Sequence, residues 1–151
     1  MSIGTEDTID FAALAVGDVV AEKPYALTRE SLVRYAGAAG DFNTIHYRDD
    51  VARSVGLDGV LAHGMLTMGL AIQPVIEWLG DPALIDDYQV RFTRPVYVDG
   101  DTGANVLVVA KVGQLDAEAG TARLDLVVTA AGQTVLGKAQ VRIHAATRDA
   151  D

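Results

Sequence analysis

Residues 64–79 read GMLTMGLAIQPVIEWL, and the fold class turns on them. Met65, Leu66, Met68, Leu70, Ile72, Val75, Ile76 and Leu79 cover most of a helical circumference, and a helix apolar nearly all round has to be buried. Gln73 and Glu77 interrupt the run, which is also too short for the roughly 18 or more apolar residues of a membrane span. It therefore reads as a central core helix. Pro74 removes a backbone donor and crowds the carbonyl of Leu70, which predicts a kink or an early end.

Outward from this helix the pattern changes period. From Leu84 on, apolar residues alternate: Tyr88, Val90 and Phe92; Val106, Val108 and Ala110; Leu124, Leu126 and Val128; Val135, Gly137 and Ala139. That spacing predicts four strands with one face inward. Turn signals separate them at Asp99-Gly100-Asp101, at Asp116 to Gly120 and at Ala131-Gly132-Gln133, the last short enough for a hairpin. Upstream, a turn at Gly17-Asp18 leads into a strand through Leu27, and Pro24 suits an edge position. Thr28 can cap a helix that carries Glu30 in its first turn and stops at Gly40. Arg48 to Ser54 reads as a short helix closed by Gly56. The expectation is an α+β chain with about five mostly antiparallel strands wrapped around one buried helix. Residues 1–10 are expected to form a loose tail, 11–146 one domain, and 147–151 a polar tail.

Composition narrows the partners. Half of the 151 residues are hydrophobic, enough for one core. The 12 basic residues are outnumbered by 21 acidic ones, for a net charge of -9. That sign disfavours nucleic acid and nonspecific docking to anionic lipid. With no Cys there is no disulfide framework, thiolate nucleophile or Cys-type zinc site. The acidic start MSIGTEDTIDFAAL lacks the basic region of a signal peptide, so the expected compartment is the cytoplasm.

The chemistry concentrates in residues 35–52, YAGAAGDFNTIHYRDDVA, where Asp41, Asn43 and His46 follow the helix-ending Gly40 within one tight loop. A carboxylate, an amide and an imidazole share it. An imidazole, with a pKa of about 6.5, can act as a base near neutrality. A carboxyl group of about 3.9 can donate only if burial raises it, and otherwise acts by polarising a water. Taken singly, Asp41 could cap a turn and His46 a helix. Downstream, Gly64 opens the long helix, so its N–H is a free donor with no Cβ in the way, suited to an oxyanion. It could equally serve close packing. His63 reads as structural and stays outside the catalytic set. A metal site from Asp41, His46 and His63 matches no recognised ligand spacing.

The run G-D-x-N-x-x-H followed by D-x-x-x-A, with AHGMLTMG at residues 62–69 and RFTRPVYVDGD at residues 91–101, resembles the MaoC-like hot-dog dehydratases. These include the (R)-specific enoyl thioester hydratases and the (3R)-hydroxyacyl dehydratases. The resemblance implies a single hot-dog domain that hydrates trans-2-enoyl thioesters reversibly, by syn addition, to (3R)-3-hydroxyacyl thioesters. It implies catalysis by Asp41 and His46 on one water, with Asn43 orienting them and Gly64 forming the oxyanion hole. No metal or redox cofactor is implied, because the substrate itself is carried as a coenzyme A or acyl-carrier-protein thioester. Arg91 and Arg94 are candidates for a clamp on the carrier's phosphates. Sheet edges and the family's tunnel imply a homodimer or a heterodimer. An acyl thioesterase on the same fold and a non-catalytic subunit of a heteromeric dehydratase stay open as alternatives. One departure stands out: Thr44 occupies the place where the family motif usually carries Pro.

Overall fold

The computed structural model describes residues 9–146. The two expected tails fall largely outside these residues; of the first, Ile9 packs against the core and Asp10 caps the short 3₁₀ turn Phe11–Ala13.

Six strands form one antiparallel sheet: β1 (Val19–Leu27), β2 (Ile85–Phe92), β3 (Ala104–Asp116), β4 (Thr121–Ala130), the two-residue β5 (Gln133–Thr134) and β6 (Leu136–His144). Their order is β1-β3-β4-β6-β2, with β5 paired to β4. Pro24 lies on β1, at an edge, where its missing N–H breaks no second ladder. The β4–β5 turn falls at Ala131-Gly132, with φ of 48° and 73°, the backbone of a type I′ hairpin. β2 does not pair with its neighbour in sequence. It lies against β6, so residues 93–103 must travel from one side of the sheet to the other.

Three helices lie on this frame: α1 (Arg29–Ala39), α2 (Asp49–Ser54) and α3 (Gly64–Leu79). Thr28 and Ser31 close a reciprocal capping box at the start of α1, and Gly40 ends it in the left-handed region. α3 runs through Pro74 to Leu79. It is anchored to the sheet by the Tyr88 hydroxyl, which donates to the carbonyl of Met68 at 2.7 Å. The sheet supplies Val106, Val108, Ala110, Leu124, Val128 and Val141 to the same core that receives Ala71 and Val75 of α3.

Two expectations need correction. α3 is buried along one stripe, Thr67, Ala71, Pro74, Val75 and Leu79, and not all round. Met65, Gly69, Gln73 and Glu77 fall at intervals of four and form an exposed stripe, with Met65 59% exposed. Small and polar residues at that spacing mark a face that this chain's own sheet does not cover. Phe92, expected inward with Tyr88 and Val90, is 52% exposed. A bulge lies nearby: between Gln89 opposite Gln140 and Arg91 opposite Gly137, β6 carries an extra residue, and Lys138 takes φ of 47°.

Ala131 holds a left-handed conformation that a side chain other than Asn, Asp or Gly occupies at a cost of about 1 kcal/mol. Ala131→Asn should therefore stabilise the fold by about 0.5 to 1 kcal/mol, read as a rise in thermal midpoint of about 2 to 4 °C by circular dichroism. An unchanged or lowered midpoint would show that the hairpin is not limited by this residue.

Candidate active site

The site forms where the loop after α1 meets the N-terminus of α3. Residues 60–62 pair briefly with residues 96–98: Ala62 N–H donates to the Val96 carbonyl at 2.8 Å and Val98 N–H to the Val60 carbonyl at 2.9 Å. The Arg29 guanidinium braces this ladder, donating to the Val98 carbonyl and to both oxygens of Asp49, while Asp49 also accepts from the Val60 N–H. The Val60 N–H first, and then Arg29, hold the Asp49 carboxyl below its usual range. One half-exposed pair thus links α1, α2 and both strands of the ladder.

Against this frame the 3₁₀ turn Thr44–His46 places the imidazole of His46, which is only 8% exposed. Its Nδ1 lies 2.8 Å from the Leu61 carbonyl. A carbonyl only accepts, so Nδ1 carries the hydrogen and Nε2 presents its lone pair. Burial pushes the His46 pKa down, the Leu61 bond pulls it up, and His63 lowers it further while the Asp41 carboxylate raises it, the net direction being down. Asp41 is exposed at the loop, with Oδ1 accepting the Asn43 N–H at 3.1 Å. Asn43 caps the 3₁₀ turn through its side chain, accepting from the Ile45 N–H, so the amide shapes the loop that carries both neighbours.

The structure brings His63 into the same cluster. Its ring is 1% exposed and stacks on that of His46 at 3.8 Å and 24°, with Tyr35 4.8 Å away at a steep tilt. Ligand atoms of Asp41, His46 and His63 lie within 4.8 Å of one another. Nearly parallel rings, however, keep their in-plane lone pairs from converging on one ion at the roughly 2 Å that metal coordination requires. The sequence signal for His63 was its place directly before Gly64, and only tertiary stacking distinguishes it from a core histidine.

Gly64 begins α3 and is itself exposed. A Cβ there would stand 3.1 Å from the ring of Phe92, the first obstacle it would meet. Because Phe92 is the last residue of β2, the absence of a side chain at Gly64 lets this strand's ring approach the start of α3. Beside it lies a cavity of about 310 Å³ lined by Leu61, Thr67, Phe92, Arg94, Val96 and Leu136 among others. Arg94 reaches this cavity and donates to the Thr134 carbonyl at 2.9 Å. Arg91 does not line it, so the expected pair of arginines does not close on one pocket.

A central helix wrapped by a curved antiparallel sheet, with an Asp/His loop at the helix N-terminus, defines a hot-dog protein of the dehydratase type. The MaoC like domain matches residues 10–130, and the chain belongs to that family. It superposes on a MaoC-like dehydratase with a TM-score of 0.87 at 36% identity, covering 91% of this chain and 42% of the other. It also superposes on the R-hydratase PhaJ1 from Pseudomonas aeruginosa with a TM-score of 0.76 at 27% identity, covering 91% and 86%. Among curated relatives, a probable enoyl-CoA hydratase 2 of Dictyostelium discoideum is 31% identical over 48% of this chain and 25% of its own length. A mitochondrial 3-hydroxyacyl-[acyl-carrier-protein] dehydratase of Arabidopsis thaliana is 29% identical over 64% of this chain and 57% of its own. The chain thus spans a quarter and somewhat over half of those two relatives. No helix among the described residues is long and apolar enough to cross a membrane.

Thr44 is the first residue of its 3₁₀ turn, and among the described residues its N–H has no partner. Asn43 before it, at φ -58° and ψ 123°, already has the backbone that a residue preceding proline requires. Thr44→Pro should therefore stabilise by about 0.4 to 1 kcal/mol through the unfolded state and keep full turnover. A drop in thermal midpoint together with slower turnover would mean that the threonine hydroxyl or N–H is engaged.

Proposed function

We propose that this chain catalyses the reversible syn hydration of trans-2-enoyl thioesters to (3R)-3-hydroxyacyl thioesters, with no metal or redox cofactor. The observation that carries this reading is the bond from His46 Nδ1 to the Leu61 carbonyl, which leaves a bare Nε2 on a ring clustered with Asp41 and His63, their ligand atoms within 4.8 Å of one another.

In the hydration direction, Nε2 takes a proton from a water as its oxygen bonds to C3. The C2–C3 π pair moves toward the carbonyl, and the thioester oxygen gains negative charge. Gly64 N–H, a free donor at a helix N-terminus, stabilises that oxygen. The imidazolium then returns its proton to C2 on the same face, and one water has been added. Asp41 holds the second hydrogen of the water. Its exposed position favours this polarising role over one that needs a buried acid. In dehydration the same groups act in reverse. The cavity beside Gly64 is the place for the start of the acyl chain, and Arg94 at its rim can meet phosphate of a coenzyme A or carrier-protein arm.

Met65 at the start of the exposed stripe of α3, with Phe42, Tyr47 and Phe92 also open, leaves an apolar margin around this site. A second copy, or a homologous subunit, covers it in this reading, and light scattering should find a dimer at working concentration.

Asp41→Asn and His46→Ala should each slow hydration by about 10²-fold to 10⁴-fold, followed as loss of enoyl absorbance with crotonyl, octenoyl and dodecenoyl thioesters. The double variant should be little slower than the poorer single one, because both groups act on one water. Release of free thiol from a saturated acyl thioester, without hydration, would place the chain among the thioesterases.

The pH dependence follows from the sign of the His46 shift. Acid protonates the base, so kcat/KM falls as pH drops through the pKa of His46 in the free enzyme. Because burial pushes that value below the ordinary 6.5, the acid limb should lie below pH 6.5, with a flat rate near neutrality. A limb above 7 would show that His46 is charged at rest.

A further inference from the structure

Resting on that reading of the loop, we propose that His63 is a positioning residue that sets the separation of Asp41 and His46, acting through its Nε2–H and the face of its ring.

Three observations meet at this side chain. Nε2 lies 3.1 Å from the Asp41 carbonyl, and an acceptor-only partner requires Nε2 to carry the hydrogen. The ring face lies on the face of His46 at 3.8 Å. Nδ1 is buried with no hydrogen-bond partner. An apolar side chain of similar volume would fill the same slot between Tyr35 and His46 without leaving a buried nitrogen unpaired, which is a cost to stability. An imidazole at this point is therefore not explained by space filling.

What the imidazole adds is a donor on one edge and a flat surface. The bond from His46 Nδ1 to Leu61 fixes the base within its own plane, while the stack with His63 fixes it along the normal. On its other edge, His63 holds the carbonyl of Asp41, whose carboxylate is tied to the Asn43 N–H. Because His63 is itself the N-cap of α3, one rigid helix start carries the ring, the Gly64 donor and the link to the loop. All three groups of the proposed chemistry are thus referred to one point. The charged or titratable side chains around the ring are His46, Asp41 and Tyr35.

Substitution separates these contributions. His63→Gln keeps an N–H donor near the place of Nε2, whereas His63→Phe keeps a flat ring and loses the donor. His63→Phe removes the unpaired nitrogen but also the donor to the Asp41 carbonyl, two changes of opposite sign, so its thermal midpoint should stay near the parent's, yet its kcat should fall by about 10-fold to 100-fold with KM little changed. His63→Gln should retain most of kcat. Full activity in His63→Phe, or equal losses in both variants, would overturn the proposal and leave His63 as packing. A measurement that needs no substrate stands beside these: ¹⁵N chemical shifts of the unliganded parent protein at alkaline pH should show hydrogen on Nε2 of His63 and on Nδ1 of His46. The opposite tautomer at His63 would refute the bond to Asp41 even if the variants failed to fold. If the tautomers are as expected but no enoyl thioester is hydrated, the functional reading fails and not the arrangement of the rings.

Discussion

The carbonyl of Leu61 is the point on which the site depends. It lies in the middle of a three-residue ladder whose other two members, Val60 and Ala62, bond to Val98 and Val96. In an antiparallel pairing alternate residues turn their backbone groups outward, which leaves the Leu61 carbonyl free for a side chain. His46 takes it. Were the ladder one residue out of register, that carbonyl would face the other way and the imidazole would have no reason to choose one tautomer. The Arg29 to Asp49 bridge matters for this reason: it holds the register of the ladder and is worth little as an isolated half-exposed ion pair.

Two demands on α3 pull against each other. In the proposed reaction its N-terminus has to stay open, because Gly64 would serve a developing oxyanion only if its N–H met the substrate. Its body has to be buried, because it carries Ala71, Val75 and Leu79 into the core. The chain reconciles these by burying one stripe under β1 and β3 and leaving Met65, Gly69, Gln73 and Glu77 outward. Phe92 follows the same logic. Its ring lies exposed against Gly64, as a wall of the cavity and not as core filling.

The polar atoms of the site are disposed unequally. His46 is nearly enclosed and its pKa is pushed down mainly by burial, whereas Asp41, five residues earlier, is exposed. In the proposed reaction, a base shielded from water and a carboxylate open to it would divide the work on one water molecule. The price of this arrangement is the unpaired Nδ1 of His63, the kind of local deficit that accumulates where function competes with stability.

Much of this was legible in the residues themselves because the governing physics is local. The helix Gly64–Leu79, the caps at Thr28 and Gly40, and the Asp41, Asn43 and His46 loop depend on neighbours within a few positions, so spacing and residue type suffice. Strand existence follows from period two in the same way. Strand partnership does not: nothing in residues 85–92 says that they pair with β6 across the sheet, because alternation is blind to which strand lies alongside. The same limit hid the outward stripe of α3, the exposure of Phe92 and the separation of Arg91 from the cavity that Arg94 lines. It also hid His63, whose stack on His46 joins residues 17 positions apart in sequence. Sequence alone determined which groups could do chemistry. Only the tertiary structure decided which of their atoms are free to do it, because a hydrogen on Nδ1 or on Nε2 is assigned by the carbonyl opposite, and that carbonyl comes from elsewhere in the chain.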